Sequence, residues 1–110
     1  MQVRERADCI TRFKILADPT RFSIFDLLMT GNHCHCEIAE ELNLSLSLVS
    51  HHLRVLVEGG LITAIRDERD ARWVHYHINQ EALAGFRLEF TRLTDPARIQ
   101  ARTSDCPPQQ

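Results

Sequence analysis

The chain has 110 residues, of which 44% are hydrophobic and 25% charged, and its formal net charge is −2. This composition is typical of one folded domain and excludes a largely disordered chain. No apolar run approaches the roughly 20 residues that a membrane-spanning helix needs, and residues 1–8 contain no apolar signal core. We therefore expect a cytoplasmic protein with no membrane partner. Any contact with nucleic acid must come from a local basic surface, because the chain as a whole is slightly acidic.

The first part of the sequence predicts three helices. Apolar residues at near-helical spacing indicate a helix over residues 3–16. Asp18 and Pro19 are typical of the N-cap and first turn of a second helix, which should end near Gly31. A short third helix is expected over about residues 36–42.

A longer fourth helix and a hairpin follow. Ser45 is a good N-cap for this helix, and the glycine pair at 59–60 should end it. Its predicted buried stripe consists of Leu46, Val49, Leu53, Leu56 and Val57. Residues 61–66 and 72–78 then predict two strands joined by a polar turn, and a last helix is expected over about residues 80–93.

This order of elements predicts a fold that is mainly α with a β-hairpin wing (α+β). Two helices joined by a short turn and followed by a hairpin form a winged helix-turn-helix. The DNA-reading unit should lie between about Cys34 and Ile78. We expect residues 1–94 to form the DNA-binding and dimerisation domain, and residues 95–110 to form a mobile polar tail.

The helix that starts at Ser45 is the predicted DNA-reading helix. Small hydroxyls let a helix backbone lie deep in the major groove, an arginine can reach phosphate or guanine, and the helix N-terminus attracts phosphate. A merely solvated face would usually carry Glu and Lys pairs, but this one has no acidic residue before Glu58. The predicted contacts from this helix are Ser45, Ser47, Ser50, His51 and Arg54.

The predicted wing adds three arginines to this surface: Arg66, Arg69 and Arg72. They could contact the adjacent minor groove or the DNA backbone. The alternative is that they pair with the acidic residues that alternate with them in the same turn.

Several runs of residues together resemble the ArsR/SmtB repressors. They are LADPTR at 16–21, CHCEIA at 34–39, SLSLVSHHLRVL at 45–56, GLI at 60–62 and RWVHY at 72–76. The resemblance covers about residues 10–93. It implies a homodimer whose first and last helices form the interface. It also implies binding to a two-fold operator on double-stranded DNA without effector, and release when a metal or metalloid binds. The wing is longer and more acidic than the short glycine-bearing turn usual in the family.

Four cysteines, Cys9, Cys34, Cys36 and Cys106, favour metal binding or redox sensing over structural disulfides in a cytosolic chain. Cys34 and Cys36 stand where arsenic- and cadmium/lead-responsive members of the family carry Cys-x-Cys. Residues i and i+2 of a regular helix point about 200° apart, so they cannot easily hold one ion. Chelation should therefore need, or create, a distorted start to the helix.

Thiolates select soft ions, and three thiolates satisfy As(III) or Sb(III). Arsenite or antimonite is therefore the expected effector, with cadmium, lead or zinc as alternatives. Cys9 is preferred as the third ligand over Cys106, because ordering a mobile tail costs more entropy. His33 and His35 are expected to raise the local positive potential and lower the thiol pKa values rather than to bind the ion.

Two other functions stay open. The same repressor could sense thiol oxidants through its cysteines, or the chain could be a zinc-stabilised module whose winged helix binds protein. An enzyme is not expected, because the sequence has no Cys-x-x-Cys beside a βαβ unit and no other nucleophile–base pattern.

Overall fold

The computed structural model describes residues 3–101 and 106–107. Within that part of the chain the elements are α1 (Val3–Leu16), α2 (Pro19–Met29), β1 (His33–Cys34), α3 (His35–Leu42), α4 (Leu46–Glu58), β2 (Ile62–Arg66), β3 (Val74–Ile78) and α5 (Gln80–Leu93), followed by a 3₁₀ turn (Pro96–Arg98). The predicted winged helix-turn-helix is confirmed: α3 and α4 are the paired helices, and β2 and β3 form the antiparallel wing. None of the described helices has the length and apolar character needed to cross a bilayer.

Local capping signals explain where the helices begin. The side chains of Asp18, Ser45 and Asn79 each accept a backbone N–H from the first turn of the helix that follows, at 2.9, 3.1 and 3.1 Å. Each bond satisfies one of the N–H groups that a helix start leaves without an intrahelical partner. Asn43, in the left-handed region with φ of 54°, makes the tight turn between α3 and α4.

The core lies where α2, α3 and α4 pack against the sheet. Its most deeply buried side chains are Ile24, Ile38, Val49, Leu53, Leu56 and Leu61. The predicted stripe of α4 is wrong at one position, because Leu46 is 52% exposed. The first turn of α4 projects beyond the core, so the buried stripe begins one turn later, at Val49. His52 joins the core side of this helix and is 7% exposed.

A short strand, β1, was not predicted from the sequence. It pairs antiparallel with β3, so that His33 lies opposite Tyr76 and Cys34 opposite His75. The strand order of the sheet is β1-β3-β2. This pairing places Cys34 directly beside the strand that carries the wing.

The first and last helices pack together through aromatic side chains. The ring of Phe13 on α1 lies 4.9 Å from that of Phe86 and 5.7 Å from that of Phe90, both on α5. Tilted contacts of this kind are a favourable arrangement for aromatic pairs. The packed pair of α1 and α5 is called the α1–α5 end.

The segment after α5 is partly ordered by contacts with that helix. The guanidinium of Arg98 donates to the carbonyl oxygens of Leu93 and Arg92, at 2.8 and 3.3 Å. The predicted tail also includes residues 102–105 and 108–110, which, like residues 1–2, lie outside the described residues. The domain boundary at residue 94 therefore stays a prediction.

Candidate nucleic-acid interface and adjoining thiol site

The outward face of α4 carries the residues predicted to contact DNA. Ser47, His51 and Arg54 are exposed, and Ser50 is half-buried. The helix begins at Ser45, whose exposed side chain caps it. The fold thus brings these side chains onto one helical surface that is free of acidic groups until Glu58.

Two leucines beside this surface were not predicted to be accessible. Leu46 is 52% and Leu48 is 40% exposed. Apolar side chains on a reading helix can contact thymine methyl groups in the major groove. The exposure of Leu46 was not predicted, because Leu46 fits the helical period of the buried stripe.

His35, between the two cysteines, contacts the reading helix directly. Its Nε2 lies 2.7 Å from the carbonyl oxygen of Leu46 and 3.0 Å from the Oγ of Ser50. A carbonyl oxygen can only accept, so Nε2 carries a proton and donates to Leu46. From the sequence, His35 was expected to have only an electrostatic effect. This contact was not predicted, because it depends on how α3 crosses α4, which no local sequence pattern encodes.

The two thiols lie at the start of α3 in different environments. Cys34 is the N-cap, with extended backbone (φ −84°, ψ 167°), and is buried, whereas Cys36 in the first turn is exposed. The backbone N–H of Cys34 donates to the carboxylate of Glu37 at 3.0 Å. An extended N-cap residue is the usual start of a helix, so the distorted start expected on chelation stays a prediction.

Burial raises the pKa of the Cys34 thiol, and the nearby carboxylate of Glu37 acts in the same direction. The expectation that the flanking histidines lower the thiol pKa values is therefore wrong for Cys34. Desolvation of the thiolate is the largest cause of the raised pKa of Cys34, and neither histidine is among the groups that shift it. Cys34 is held as a neutral thiol at neutral pH.

The cysteine segment and the wing share a cavity of about 230 Å³. It is lined by Cys34, His35 and Cys36 on one side and by Arg72, Trp73, Val74 and Tyr76 on the other. Two of the latter are aromatic and one is aliphatic, so the side of the cavity that faces the thiols is largely apolar.

The wing arginines are exposed, but two of them also bond within the hairpin. Arg72 pairs with the carboxylate of Asp70 through contacts of 2.6 to 3.1 Å. Arg66 donates to the carbonyl oxygen of Ala71 at 2.6 Å. Both arginines remain accessible to DNA, although the carboxylate of Asp70 would compete with a phosphate for Arg72.

The other two cysteines lie apart from this pair. Cys9 is buried on α1 and lines a cleft with Phe86 and Glu89 of α5, and Cys106 is exposed. In residues 3–101 and 106–107, no group of three or more metal-ligating side chains comes together within one protomer. Cys34 and Cys36 line the same cavity. Their joint binding of an ion stays a prediction, as does a third ligand from Cys9 or Cys106.

A partly buried polar network anchors the reading helix to the rest of the domain. The guanidinium of Arg21 lies 3.2 Å from Nδ1 of His52, and it also donates to the carbonyl oxygen of Ile15 at 2.8 Å. Because arginine only donates, Nδ1 of His52 accepts. Burial lowers the pKa of His52, although the carboxylate of Asp18, 3.9 Å away, opposes the shift. These contacts join the end of α1, the start of α2 and the middle of α4.

A family model and two similar proteins indicate the same family of bacterial regulators. The model of the bacterial regulatory protein arsR family matches residues 18–64. The transcriptional repressor SdpR of Bacillus subtilis is 38% identical over 71 residues, which are 64% of this chain and 76% of the relative. An arsenical resistance operon repressor of the same species is 34% identical over 79 residues, which are 71% of this chain and 72% of the relative.

Solved structures agree with this result. A possible transcriptional regulator for arsenical resistance superposes with a TM-score of 0.62 at 34% identity, covering 73% of this chain and 80% of that one. HlyU from Vibrio cholerae superposes with a TM-score of 0.67 at 26% identity, covering 84% and 98%. The two Bacillus subtilis relatives are named as repressors, and the first of the two solved structures is named as a possible transcriptional regulator. This chain therefore belongs to the arsR family of bacterial regulatory proteins and is a winged helix-turn-helix transcriptional regulator.

Proposed function

We propose that this protein is a homodimeric repressor that binds a palindromic operator when effector-free and releases it when arsenite or antimonite binds Cys34 and Cys36. The observation that carries the proposal is the position of this segment between the two DNA-facing elements. Cys34 pairs with β3 of the wing, and His35 contacts α4. Relatives named as arsenical resistance operon repressors support this class of effector.

Operator binding would use the outward face of α4. Ser47, His51 and Arg54 are accessible to base edges and phosphates, and the start of the helix at Ser45 favours a phosphate. Ser50 is held by His35 and would present its hydroxyl from a fixed position. Two copies of α4 in a dimer would read half-sites roughly 34 Å apart, in successive major grooves.

Release would begin with a change of conformation at the start of α3. Both thiols must turn toward one ion, whereas Cys34 is now buried and Cys36 exposed. Moving Cys34 strains its pairing with His75, and moving the backbone between the cysteines displaces His35 from Leu46 and Ser50. A coupling free energy of about 1–3 kcal/mol, typical of allosteric proteins, lowers operator affinity about 5- to 150-fold.

An inorganic ion needs at least one more ligand. We propose Cys9 of the partner subunit as the preferred third thiolate, because α1 is expected at the dimer interface, and Cys106 as the second choice. Cadmium, lead and zinc remain alternative effectors that accept three or four ligands. A thiol oxidant is the alternative signal for the same repressor.

The test is a mobility-shift titration on DNA from upstream of the protein's own gene. Wild type should bind and be released by arsenite, whereas Cys34→Ser and Cys36→Ser should bind equally tightly and resist release. A serine variant that fails to bind DNA would show the cysteines to be structural. Release by peroxide or polysulfide alone would favour the oxidant sensor. Tight zinc binding without a sequence-specific mobility shift of DNA would favour the protein-interaction module.

A further inference from the structure

A second cavity lies between the end of α2, the end of β3 and the first half of α5. Its volume is about 490 Å³, within the range of about 300–1,000 Å³ that is usual for small-molecule sites. Among the described residues, none lines both this cavity and the one beside Cys34 and Cys36. We propose that this second cavity binds a small organic anion, namely a carboxylate that carries an aliphatic chain. The proposal goes beyond the proposed function, because it assigns a ligand to a separate site.

One side of the cavity is aliphatic. Leu28 and Met29 come from the last turn of α2, Ile78 from the end of β3 and Leu83 from α5. Leu28 is buried in the core, whereas Met29 is 53% exposed, so the cavity opens to solvent beside it. Methionine is flexible and fills irregular space. Because no aromatic ring lines the cavity in the described part of the chain, a flexible aliphatic chain suits this wall better than a flat ring.

The polar side chains of the cavity can all donate hydrogen bonds. They are Asn32, His77, Gln80 and Arg87, and no acidic residue joins them among the residues that the structure describes. An amide, an imidazole N–H and a guanidinium can each donate to a carboxylate oxygen. The guanidinium of Arg87 adds a positive charge, and its fork matches the two oxygens of a carboxylate.

These donors have no partner of their own. Within residues 3–101 and 106–107, none of the four side chains takes part in a hydrogen bond or an ion pair. Arg72 of the wing differs, because it already holds the carboxylate of Asp70 at 2.6 Å. Donors without acceptors beside an aliphatic wall match a ligand with a carboxylate at one end and an apolar chain at the other.

The packing of α5 on α1 leaves this cavity accessible. Phe86 and Phe90 turn toward Phe13 on α1. The residues that α5 contributes to the cavity are at positions 80, 83, 84 and 87. This spacing places them along another side of the helix. A ligand can therefore enter without separating α5 from α1.

The experiment is isothermal titration calorimetry of octanoate into the intact, DNA-free protein. Acetate keeps the carboxylate but lacks the chain, and 1-octanol keeps the chain but lacks the charge. Octanoate should bind at least about tenfold more tightly than either, because buried methylene groups and a charge-assisted bond to Arg87 both add to its affinity. Inorganic phosphate should bind at least about tenfold more weakly than octanoate, because it has no apolar chain to bury.

Two variants test where octanoate binds. Arg87→Gln removes the charge but keeps a long polar side chain, and it should weaken octanoate binding about tenfold. Ala84→Leu, at an exposed position of the cavity wall, should also weaken it about tenfold by filling the space. The matched controls are Arg69→Gln in the wing turn and Ala64→Leu on β2, both exposed, and they should leave the affinity unchanged.

The outcomes decide the inference separately from the proposed function. If octanoate does not bind, or if acetate, 1-octanol or phosphate binds as tightly, the inference is overturned. Wild-type affinity in both cavity variants, or an equal loss in their controls, also overturns it. Each of these results leaves the thiol-responsive repressor standing, because its release from DNA by arsenite is measured without octanoate.

Discussion

At the scale of single residues, His35 is the contact between the thiol pair and the reading helix. His35→Ala removes the bonds to Leu46 and Ser50 while keeping both cysteines. We expect arsenite still to bind, as followed by Trp73 emission, but to lower operator affinity by less than about fivefold. Operator dissociation constants with and without arsenite measure this coupling.

His33→Ala is the matched control for this prediction. The His33 ring contacts the carbonyl oxygen of Gly31, within its own loop, at 2.8 Å. This variant should be released like wild type. If His35→Ala is also released like wild type, the signal does not pass through His35.

His52 makes stability depend on pH. Its pKa is lowered in the folded state by burial, so below the ordinary value of about 6.5 the unfolded chain binds more protons. Stability is therefore complete above pH 6.5 and falls as the pH drops toward the lower, folded-state value. Arg21 and His51 disfavour the charged ring, whereas Asp18 favours it.

Melting temperatures between pH 7.5 and 5.5 test this prediction. His52→Gln should flatten the pH dependence over this range, although its melting temperature at pH 7.5 should be lower. His77→Gln removes an imidazole on β3 that is not among the groups acting on His52, and it should keep the wild-type pH dependence. If the melting temperature depends equally on pH in wild type and in His52→Gln, His52 is not the group responsible.

At the scale of elements, Gly59 allows α4 to end against α1. A Cβ at this position would overlap the side chain of Ile15, which is buried in the core. The backbone itself would accept alanine, since φ is −77° and ψ is −4°. Gly59→Ala should therefore lower the free energy of unfolding by about 1–3 kcal/mol through overpacking alone.

Gly85→Ala provides the comparison for Gly59→Ala in denaturant unfolding. Gly85 lies inside α5, and a Cβ there would meet nothing within 4 Å. Alanine should raise stability by about 0.5–1 kcal/mol because glycine is a poor helix former. Equal effects of the two substitutions would show that the contact with Ile15 is unimportant.

The elements that the sequence predicted are those with local signals. The caps at Asp18, Ser45 and Asn79 and the regular apolar spacing fix the helices within a few residues. β1 was missed because two residues carry no periodicity and their pairing with β3 is far away in sequence. The burial of His52 and the contact of His35 depend on helix packing, so the sequence predicted a thiol site at Cys34 and Cys36 but not its link to α4.

At the scale of the whole molecule, the α1–α5 end exposes apolar side chains. They include Ile10, Leu88, Phe90 and Leu93, which are between 45% and 68% exposed. A dimer through these helices would bury them, as the family resemblance implies. Leu88→Arg should therefore give a monomer in sedimentation analysis and abolish operator binding.

Ile65→Arg is the control for the dimer, because Ile65 is 48% exposed on the wing rather than on α1 or α5. This variant should sediment as wild type does. A dimeric Leu88→Arg protein would show that the interface lies elsewhere. A monomeric wild-type protein would contradict the dimer itself.

The pairing of Arg72 with Asp70 bears on how operator binding responds to salt. When an arginine or lysine side chain without a carboxylate partner neutralises a phosphate, condensed counterions are released. Each such contact adds about −0.9 to the slope of log K against log salt concentration. An arginine that already holds a carboxylate contributes less, so we expect a shallow slope. Asp70→Asn should steepen it by up to about two units per dimer, as measured by fluorescence anisotropy. Because counterion release drives non-specific DNA binding, a shallow slope also means weak non-specific binding. A smaller fraction of the protein would then occupy genomic DNA outside its operator.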